Sequence, residues 1–381
     1  MDVVIMGCGE ITGAVAQELA REGGVRLVVA DRDETRAREL AARTGARPAR
    51  VDVTDREQLI SVLGDADLVV NGVGPFFRFG RSVIDAAVAT STHYVDVCDE
   101  YDVTAQVVAD VDLDRAAREA GLTILLGAGA SPGITNLAAR WAAEGLDEVR
   151  SIDLFVGVPT MPSFGVTINE HMLHALSGDV LQVLDSRLQP VPAWGGAVEQ
   201  PLAEPFGTHE FGYMGHPEPI TLARRYPGLE RATIRYSWLS PQTNRLWRDF
   251  DRLGLTSSDP VDGTGISPRG FLARLLDSDQ AAAIPGATPT ERPVGSAWRI
   301  VAEGVRDGRS AEVVVDNAIR YAELRCAGPM LTALPAAWAA RALLRGEVEG
   351  AGVVAPEDLF DPEPFIADYV ERTGCRIERR V

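Results

Sequence analysis

The chain has 381 residues, 55 of them acidic and 37 basic, for a formal net charge of −18 at neutral pH. That surplus excludes general binding to nucleic acid or anionic lipid, both of which need a basic surface, and the length fits two domains with room for a small ligand. All 37 basic residues are arginine and lysine is absent. No lysine Schiff base or lysine general base can therefore operate, and anionic substrate groups fall to arginine, which clamps carboxylates through paired hydrogen bonds.

No apolar run approaches the roughly 20 residues that cross a bilayer, and the first residues lack a basic and then apolar leader. A cytoplasmic protein with no membrane partner is expected. Cys8, Cys98, Cys326 and Cys375 have no paired spacing, which argues against a zinc ribbon or a disulfide framework, and no metal is expected.

Over the first 130 residues, short β-branched runs alternate with amphipathic stretches. Strands are expected at 2–6, 25–30, 46–53, 66–73, 92–97 and 122–127 with helices between them, a pattern that specifies a doubly wound parallel sheet. The segment "VVIMGCGEITGAVAQELA" follows the first strand and opens a helix, as a dinucleotide fingerprint does. Gly7 serves the tight turn and Gly9 the approach of backbone to a pyrophosphate, and Glu10, Ile11 and Thr12 begin the helix whose amides face that charge. Thr12 stands where the fingerprint places its third glycine, and Gly13 follows it. Asp31 ends the second strand, where an acid accepts from the adenosine ribose and repels a 2′-phosphate. This favours NAD, whereas Arg32 beside it suits the phosphate of NADP. Asp52 ends the third strand at the adenine position, unless Thr54 simply caps the next helix with Gln58 nearby.

The fourth strand leaves through Asn71, Gly72, Gly74 and Pro75, a shape that lets backbone approach a nicotinamide ribose. Phe76, Phe77 and Phe79 supply apolar walls, and Arg78 and Arg81 are candidate anion holders. In "THYVDVCDE", alternation puts Tyr94, Asp96 and Cys98 on one face of the fifth strand. Its carboxyl end, Cys98, Asp99 and Glu100, lies where doubly wound sheets bind ligands. Asp99 and Glu100 are candidates to stabilise a cation, and Tyr94 and Cys98 to donate a proton. Satisfied buried groups at Tyr94 and Asp96, and a helix cap at Asp99, are the competing reading. "LLGAGASPGITN" repeats a glycine-rich exit on the sixth strand, with Pro132 at a helix entry.

After about Val149 the strands lengthen and proline increases, which reads as a separate α+β domain. "SAWRIVAEGVRDGRSAEVVVDNA" is a hairpin with Asp307 and Gly308 in its turn. His171 and His174 suggest a metal pair, but no third ligand has matching spacing. An alanine-rich helix at "LPAAWAARALLRGEV" opens a tail expected to return to the first domain.

Taken together, "GCGEITGAVAQELA", "DRDETRARELA", "DADLVVNGVGPFFRFGRSVIDAAVATSTHYVDVCDE", "AREAGLTILLGAGASPGITNLAAR" and "AARALLRGEVEGAGVVAPEDLFDPEPFIADYVERTG" resemble the saccharopine dehydrogenase-like family, on its saccharopine reductase and carboxynorspermidine dehydrogenase side. The resemblance implies a Rossmann domain at 1–130 completed by 330–381, with an α+β substrate-binding and dimerisation domain at 131–329. It also implies a homodimer and NAD(P)-dependent chemistry at a carbon–nitrogen bond, in which an imine of an amine or amino acid with a carbonyl compound becomes a secondary amine, or the reverse. Ser131 occupies a place where the family turn usually carries an acid. Arg224 and Arg225 are candidate holders of a substrate carboxylate, and His216 a candidate substrate contact or proton donor. Enoyl or carbonyl reduction on the same fold, and a cofactor-binding accessory protein without turnover, are the alternative readings.

Overall fold

The computed structural model describes residues 1–160, 165–289, 294–348 and 350–381. In chain order its elements begin with β1 (Asp2–Met6), α1 (Glu10–Glu22), β2 (Arg26–Asp31), α2 (Glu34–Thr44), β3 (Arg47–Arg50), α3 (Arg56–Leu63), β4 (Leu68–Asn71) and α4 (Phe76–Ala89). They continue with β5 (His93–Asp96), α5 (Tyr101–Ala109), α6 (Val111–Glu119), β6 (Thr123–Leu125), α7 (Ile134–Ala143), β7 (Glu148–Gly157), α8 (Val166–Ala175), β8 (Asp179–Leu184) and β9 (Arg187–Pro192). Next come β10 (Val198–Pro201), β11 (Thr208–Tyr213), α9 (Glu218–Arg225), β12 (Arg231–Ser237), α10 (Pro241–Arg252), α11 (Pro268–Leu276), β13 (Gly295–Arg306) and β14 (Arg309–Arg320). The chain closes with α12 (Met330–Leu344), β15 (Gly352–Val354), α13 (Pro356–Leu359), α14 (Pro362–Thr373) and β16 (Arg376–Arg380). These elements form two compact units, residues 1–137 with 326–373, and residues 138–325 with 374–381.

In the first unit the described strands form a seven-stranded parallel sheet in the order β15-β6-β5-β4-β1-β2-β3. The order reverses at β1, which has β2 on one side and β4 on the other, and such a reversal opens a crevice at the carboxyl ends of the strands. Val3, Val4, Ile5 and Met6, like Leu68, Val69 and Val70, are buried on both faces. This near-continuous apolar content is what a parallel sheet covered by helices requires. Asp33 caps α2 by accepting from the Thr35 amide, and Asp55 caps α3 by accepting from the Glu57 and Gln58 amides. The cap expected at Thr54 thus lies one residue later, because Asp52 has already taken the Thr54 amide and hydroxyl.

The tail supplies the seventh strand and a clamp. Ala333, Ala336, Ala337 and Ala340 of α12 are fully buried, and the small side chains let α12 lie close on α1. At one end of that contact Glu18, whose side chain is 3% exposed, meets Arg372 of α14 at 2.5 Å and Arg21 at 3.0 Å. Arg341 of α12 holds the neighbouring Glu22 at 2.7 Å. Burial pushes the Glu18 pKa up, but the hydrogen bonds from Arg21 and Arg372 outweigh it and leave the value at about 2.

The expectation that residues 330–381 return whole to the first domain needs correcting at its end. β16 pairs antiparallel with β14 in the second unit, and Arg380 forms an ion pair with Asp316 there. The edge of β14 offers a ladder of open backbone groups, and the last strand fills it. The second unit is a nine-stranded mixed sheet among the described residues. Its main order is β10-β11-β12-β7-β13-β14-β16, with β8 on β12 and β9 on β8. Only β12 and β7 run parallel among these pairs. β13 and β14 form the expected hairpin, with Asp307 at φ 50° and Gly308 at φ 72° making a two-residue turn. Across the sheet, Arg231 and Arg235 share Asp153, and Arg299 lies on Asp316 with Nε to Oδ1 at 2.7 Å.

Replacing Glu18 tests the clamp. Glu18→Ala takes from Arg372 and Arg21 their buried partner, and is expected to cost about 3 kcal/mol in urea unfolding. In the wild type this contribution is present above the ordinary glutamate range and is lost as pH falls towards 2; an unchanged unfolding midpoint would refute the clamp.

Candidate functional site

Parallel strands share one direction, so the exits of β1, β2, β4, β5 and β6 fall on one rim of the first sheet. Gly7 turns at φ 89° and its amide donates to the Ala30 carbonyl at 2.7 Å. Gly9 then caps α1 with no side-chain hydrogen bond, and a Cβ placed on it would meet nothing within 4 Å. Space beside the open amides of Glu10 and Ile11, at the positive end of a 13-residue helix, is what a pyrophosphate needs. These residues fit a dinucleotide.

Thr12 explains how the fingerprint survives without its third glycine. Its hydroxyl donates to the Gly7 carbonyl at 2.6 Å, and its methyl group packs on the α-carbon of Gly72, where a Cβ would lie far inside van der Waals contact. The close approach that the third glycine usually provides has moved to the neighbouring strand exit. Gly13 is not needed for it, since a Cβ there would sit an ordinary 3.7 Å from Leu40.

Asp31 is already at work inside the protein, with one carboxylate oxygen accepting from the Cys8 amide and the other from the Asp33 amide, each at 2.8 Å. It brackets the glycine turn from β2 while keeping lone pairs for a ribose. Burial, helped by Asp31, pushes the Cys8 thiol up to about 12, so it stays protonated. Asp52 is held below the usual carboxylate range by the Thr54 amide and hydroxyl, with Arg32 and Arg50 adding positive charge. Arg32 thus stands near Asp52, just beyond the exits of β2 and β3.

At the exit of β4, Asn71 is fully buried. Its Oδ1 accepts from the Val73 amide at 3.1 Å, and its Nδ2 donates to the Tyr94 hydroxyl at 3.0 Å. Tyr94 in turn donates to Asp96 at 2.8 Å. The other Asp96 oxygen accepts from the Gly127 amide at 2.7 Å and the Cys98 amide at 3.1 Å. Burial nonetheless raises Asp96 to about 6. Gly74 and Pro75 follow, and Pro75 is the N-cap of α4. It has no side chain able to cap.

Glu100 does that job from the next strand exit, accepting from the Phe76 amide at 2.9 Å and the Phe77 amide at 2.6 Å. Burial raises it to about 7 against the pull of those two amides. Phe76 is packed away, while Phe77 is 62% exposed. The four catalytic candidates are therefore divided. Tyr94 and Cys98 are buried, with burial pushing both well above their ordinary values, and Glu100 caps a helix. Asp99 is half-buried at the end of β5.

The β6 exit is a tight loop in which Gly129 and Gly133 form a bridge and the Gly129 amide donates to the Pro132 carbonyl at 2.9 Å. Gly133, at φ 127°, has no room for a Cβ against the Gly129 backbone. Ser131 is half-buried at its tip. Asn136 accepts from the Gly133 amide at 2.9 Å and donates to Glu357 of α13 at 3.0 Å. Sequence reasoning missed Glu357 and Asn136, because nothing local links a tail acid to a loop so far away.

In the second unit, the His216 Nδ1 lies 2.5 Å from the Glu218 carboxylate with both residues buried, and the His171 ring stands edge-on to His216 at 6.4 Å. His174, three residues from His171 on α8, faces Arg269 at 3.3 Å. Arg224 is exposed and Arg225 half-buried in the last turn of α9. The Arg225 guanidinium sits 5.6 Å from the Tyr226 ring centre. Among the described residues no helix is long and apolar enough to cross a membrane.

With this geometry in hand, the chain matches the saccharopine dehydrogenase NADP-binding domain over residues 3–125 and the saccharopine dehydrogenase C-terminal domain over residues 129–375. It is 24% identical to carboxyaminopropylagmatine dehydrogenase of Synechocystis, covering 97% of this chain and 95% of that one. It is 25% identical to carboxynorspermidine synthase of Vibrio alginolyticus, covering 96% and 94%. Among solved structures, the L-glutamate-forming saccharopine dehydrogenase of Saccharomyces cerevisiae covers all of this chain with a TM-score of 0.66 at 17% identity, and so shares its fold.

Two outcomes follow for the rim. Gly72→Ala is expected to cost about 1–3 kcal/mol through overpacking, and adding Thr12→Ser, which removes the methyl and keeps the hydroxyl, should restore most of it in thermal unfolding. Because the folded-state pKa of Glu100 is raised, its protonation contributes stability that is complete below its ordinary range and is lost as pH rises through about 7. Glu100→Gln should therefore shift stability at every pH but flatten the wild-type decline between about pH 5 and 8; an unaltered slope would show that another group titrates.

Proposed function

We propose that this chain, which belongs to the saccharopine dehydrogenase family and is an NAD(P)-dependent oxidoreductase acting on a carbon–nitrogen bond, reduces the imine of a cationic amine and a carbonyl compound to a secondary amine. The observation that carries the reading is the end-to-end match to two relatives whose names contain carboxylated amines, carboxyaminopropylagmatine and carboxynorspermidine. The excess of acidic residues agrees with it, since a net charge of −18 draws a polycation and repels a polyanion.

When bound, the nicotinamide supplies the hydride. The amides of Glu10 and Ile11 would hold the pyrophosphate, and the backbone from Asn71 to Pro75 would border the nicotinamide ribose. A protonated iminium already carries on its nitrogen the one proton that the reduction needs, and its carbon takes the hydride, so electrostatics and orientation matter more than a strong acid. We assign the cation to Asp99 and an apolar wall to Phe77. On the second unit, Arg224 and Arg225 are the proposed clamp for a substrate carboxylate. Glu218 fixes Nδ1 of His216 as the protonated nitrogen and leaves proton exchange to Nε2. Asp31 supports the glycine turn and keeps lone pairs for a ribose, and we assign the choice between NAD and NADP to Asp31 and Arg32 together. A homodimer in the cytoplasm belongs to the same reading.

The test is oxidation of NADH or NADPH by purified protein against a matrix of diamines, amino acids and oxo acids. Cofactor oxidation is expected only when an amine and a carbonyl compound are both present, and Arg32→Ala should weaken the use of NADPH more than that of NADH. Oxidation that never needs the amine would instead support carbonyl or enoyl reduction, and tight cofactor binding without turnover would support the accessory reading.

A further inference from the structure

The first unit buries a set of polar groups whose hydrogen bonds have only one possible direction. The carboxylate of Asp96 can only accept, so the Tyr94 hydroxyl must donate to it. The Tyr94 oxygen then accepts from Asn71 Nδ2, which turns Asn71 Oδ1 towards the Val73 amide. One carboxylate thereby fixes which way a buried amide faces on a neighbouring strand. Its other oxygen meanwhile holds the Gly127 amide at the β6 exit and the Cys98 amide at the end of its own strand. Three strand exits are set in register from a single side chain that is 2% exposed.

We propose that Asp96 is the positioning residue of this site, orienting through Tyr94 and Asn71 the Gly72–Gly74 loop that borders the nicotinamide ribose, and through Gly127 the loop that carries Ser131. It touches neither cofactor nor substrate. Its effect arises because both loops are backbone surfaces, and a backbone amide that rotates by a few tens of degrees no longer meets its ligand. This rests on the reading of the rim as a dinucleotide site.

The experiment measures NADH and NADPH binding by nicotinamide fluorescence well below the unfolding temperature, for wild type, Asp96→Asn, Tyr94→Phe and the double variant. Asp96→Asn keeps an oxygen for Gly127 and Cys98 but removes the acceptor that fixes the direction of the Tyr94 hydroxyl, and Tyr94→Phe breaks the same relay while keeping the ring. Each is expected to weaken binding of the preferred cofactor about tenfold, the equivalent of one lost charge-assisted hydrogen bond. The double variant should be no weaker than either single one, because the groups act in series. Glu18→Ala, which is remote from the relay, serves as control and should lower the melting temperature without moving the dissociation constant. If both relay variants melt earlier but bind as wild type, the role is merely structural and the proposal falls. An additive double variant would overturn the serial relay. Wild-type protein that binds neither cofactor would overturn the dinucleotide reading itself, and is told apart from the other failures by that measurement alone.

Discussion

Everything at the rim of the first unit depends on the parallel direction of its strands. A parallel ladder delivers each strand exit to the same edge of the sheet, and leaves every exit with backbone amides that the ladder no longer pairs. The chain meets that demand with carboxylates. Asp31 takes the Cys8 amide, Asp96 those of Cys98 and Gly127, and Glu100 those of Phe76 and Phe77. In each case an acid on one exit satisfies amides on another, so the loops are tied to each other and not only to their own strands.

This division of labour leaves a short uncommitted stretch. At the start of α1 the N-cap Gly9 supplies no side-chain cap and has open space where a Cβ would lie. The contrast between exits closed by an acid and one left open is the physical signature of a place kept for an external anion. It also accounts for Glu100 of "VCDE", whose carboxylate takes the helix start that Pro75 cannot cap.

How much of this was legible in the sequence follows from how local each cause is. Gly7 and Gly9 were readable because a tight turn and a helix start lie within a few residues of one another. The alternation of strands and helices, the hairpin at Asp307 and Gly308, and the alanine-rich α12 were readable for the same reason. Thr12 looked like a departure from a motif because its compensation, Gly72, sits on a strand 60 positions later that is adjacent only in space. Asp31 was legible as an acid at a strand end, but its hold on the Cys8 amide, 23 positions earlier, was not. Glu357 and Asn136 left no trace, as a tail acid and a loop amide have no common period. β16 was misplaced because a short run of alternating residues fits any open strand edge equally well.

That last strand has a consequence for how the chain is made. β15 covers the edge of β6 and β16 covers the edge of β14, and both lie near the end of the sequence. During synthesis the earlier strands of each sheet leave the ribosome long before their covering strands exist, and an uncovered strand edge is a template for pairing with the wrong partner. Each unit is thus discontinuous in the chain, and neither can complete its sheet as a nascent fragment. The vulnerable interval in the life of this protein falls during its synthesis, while the edge of β6 waits for β15 and the edge of β14 for β16.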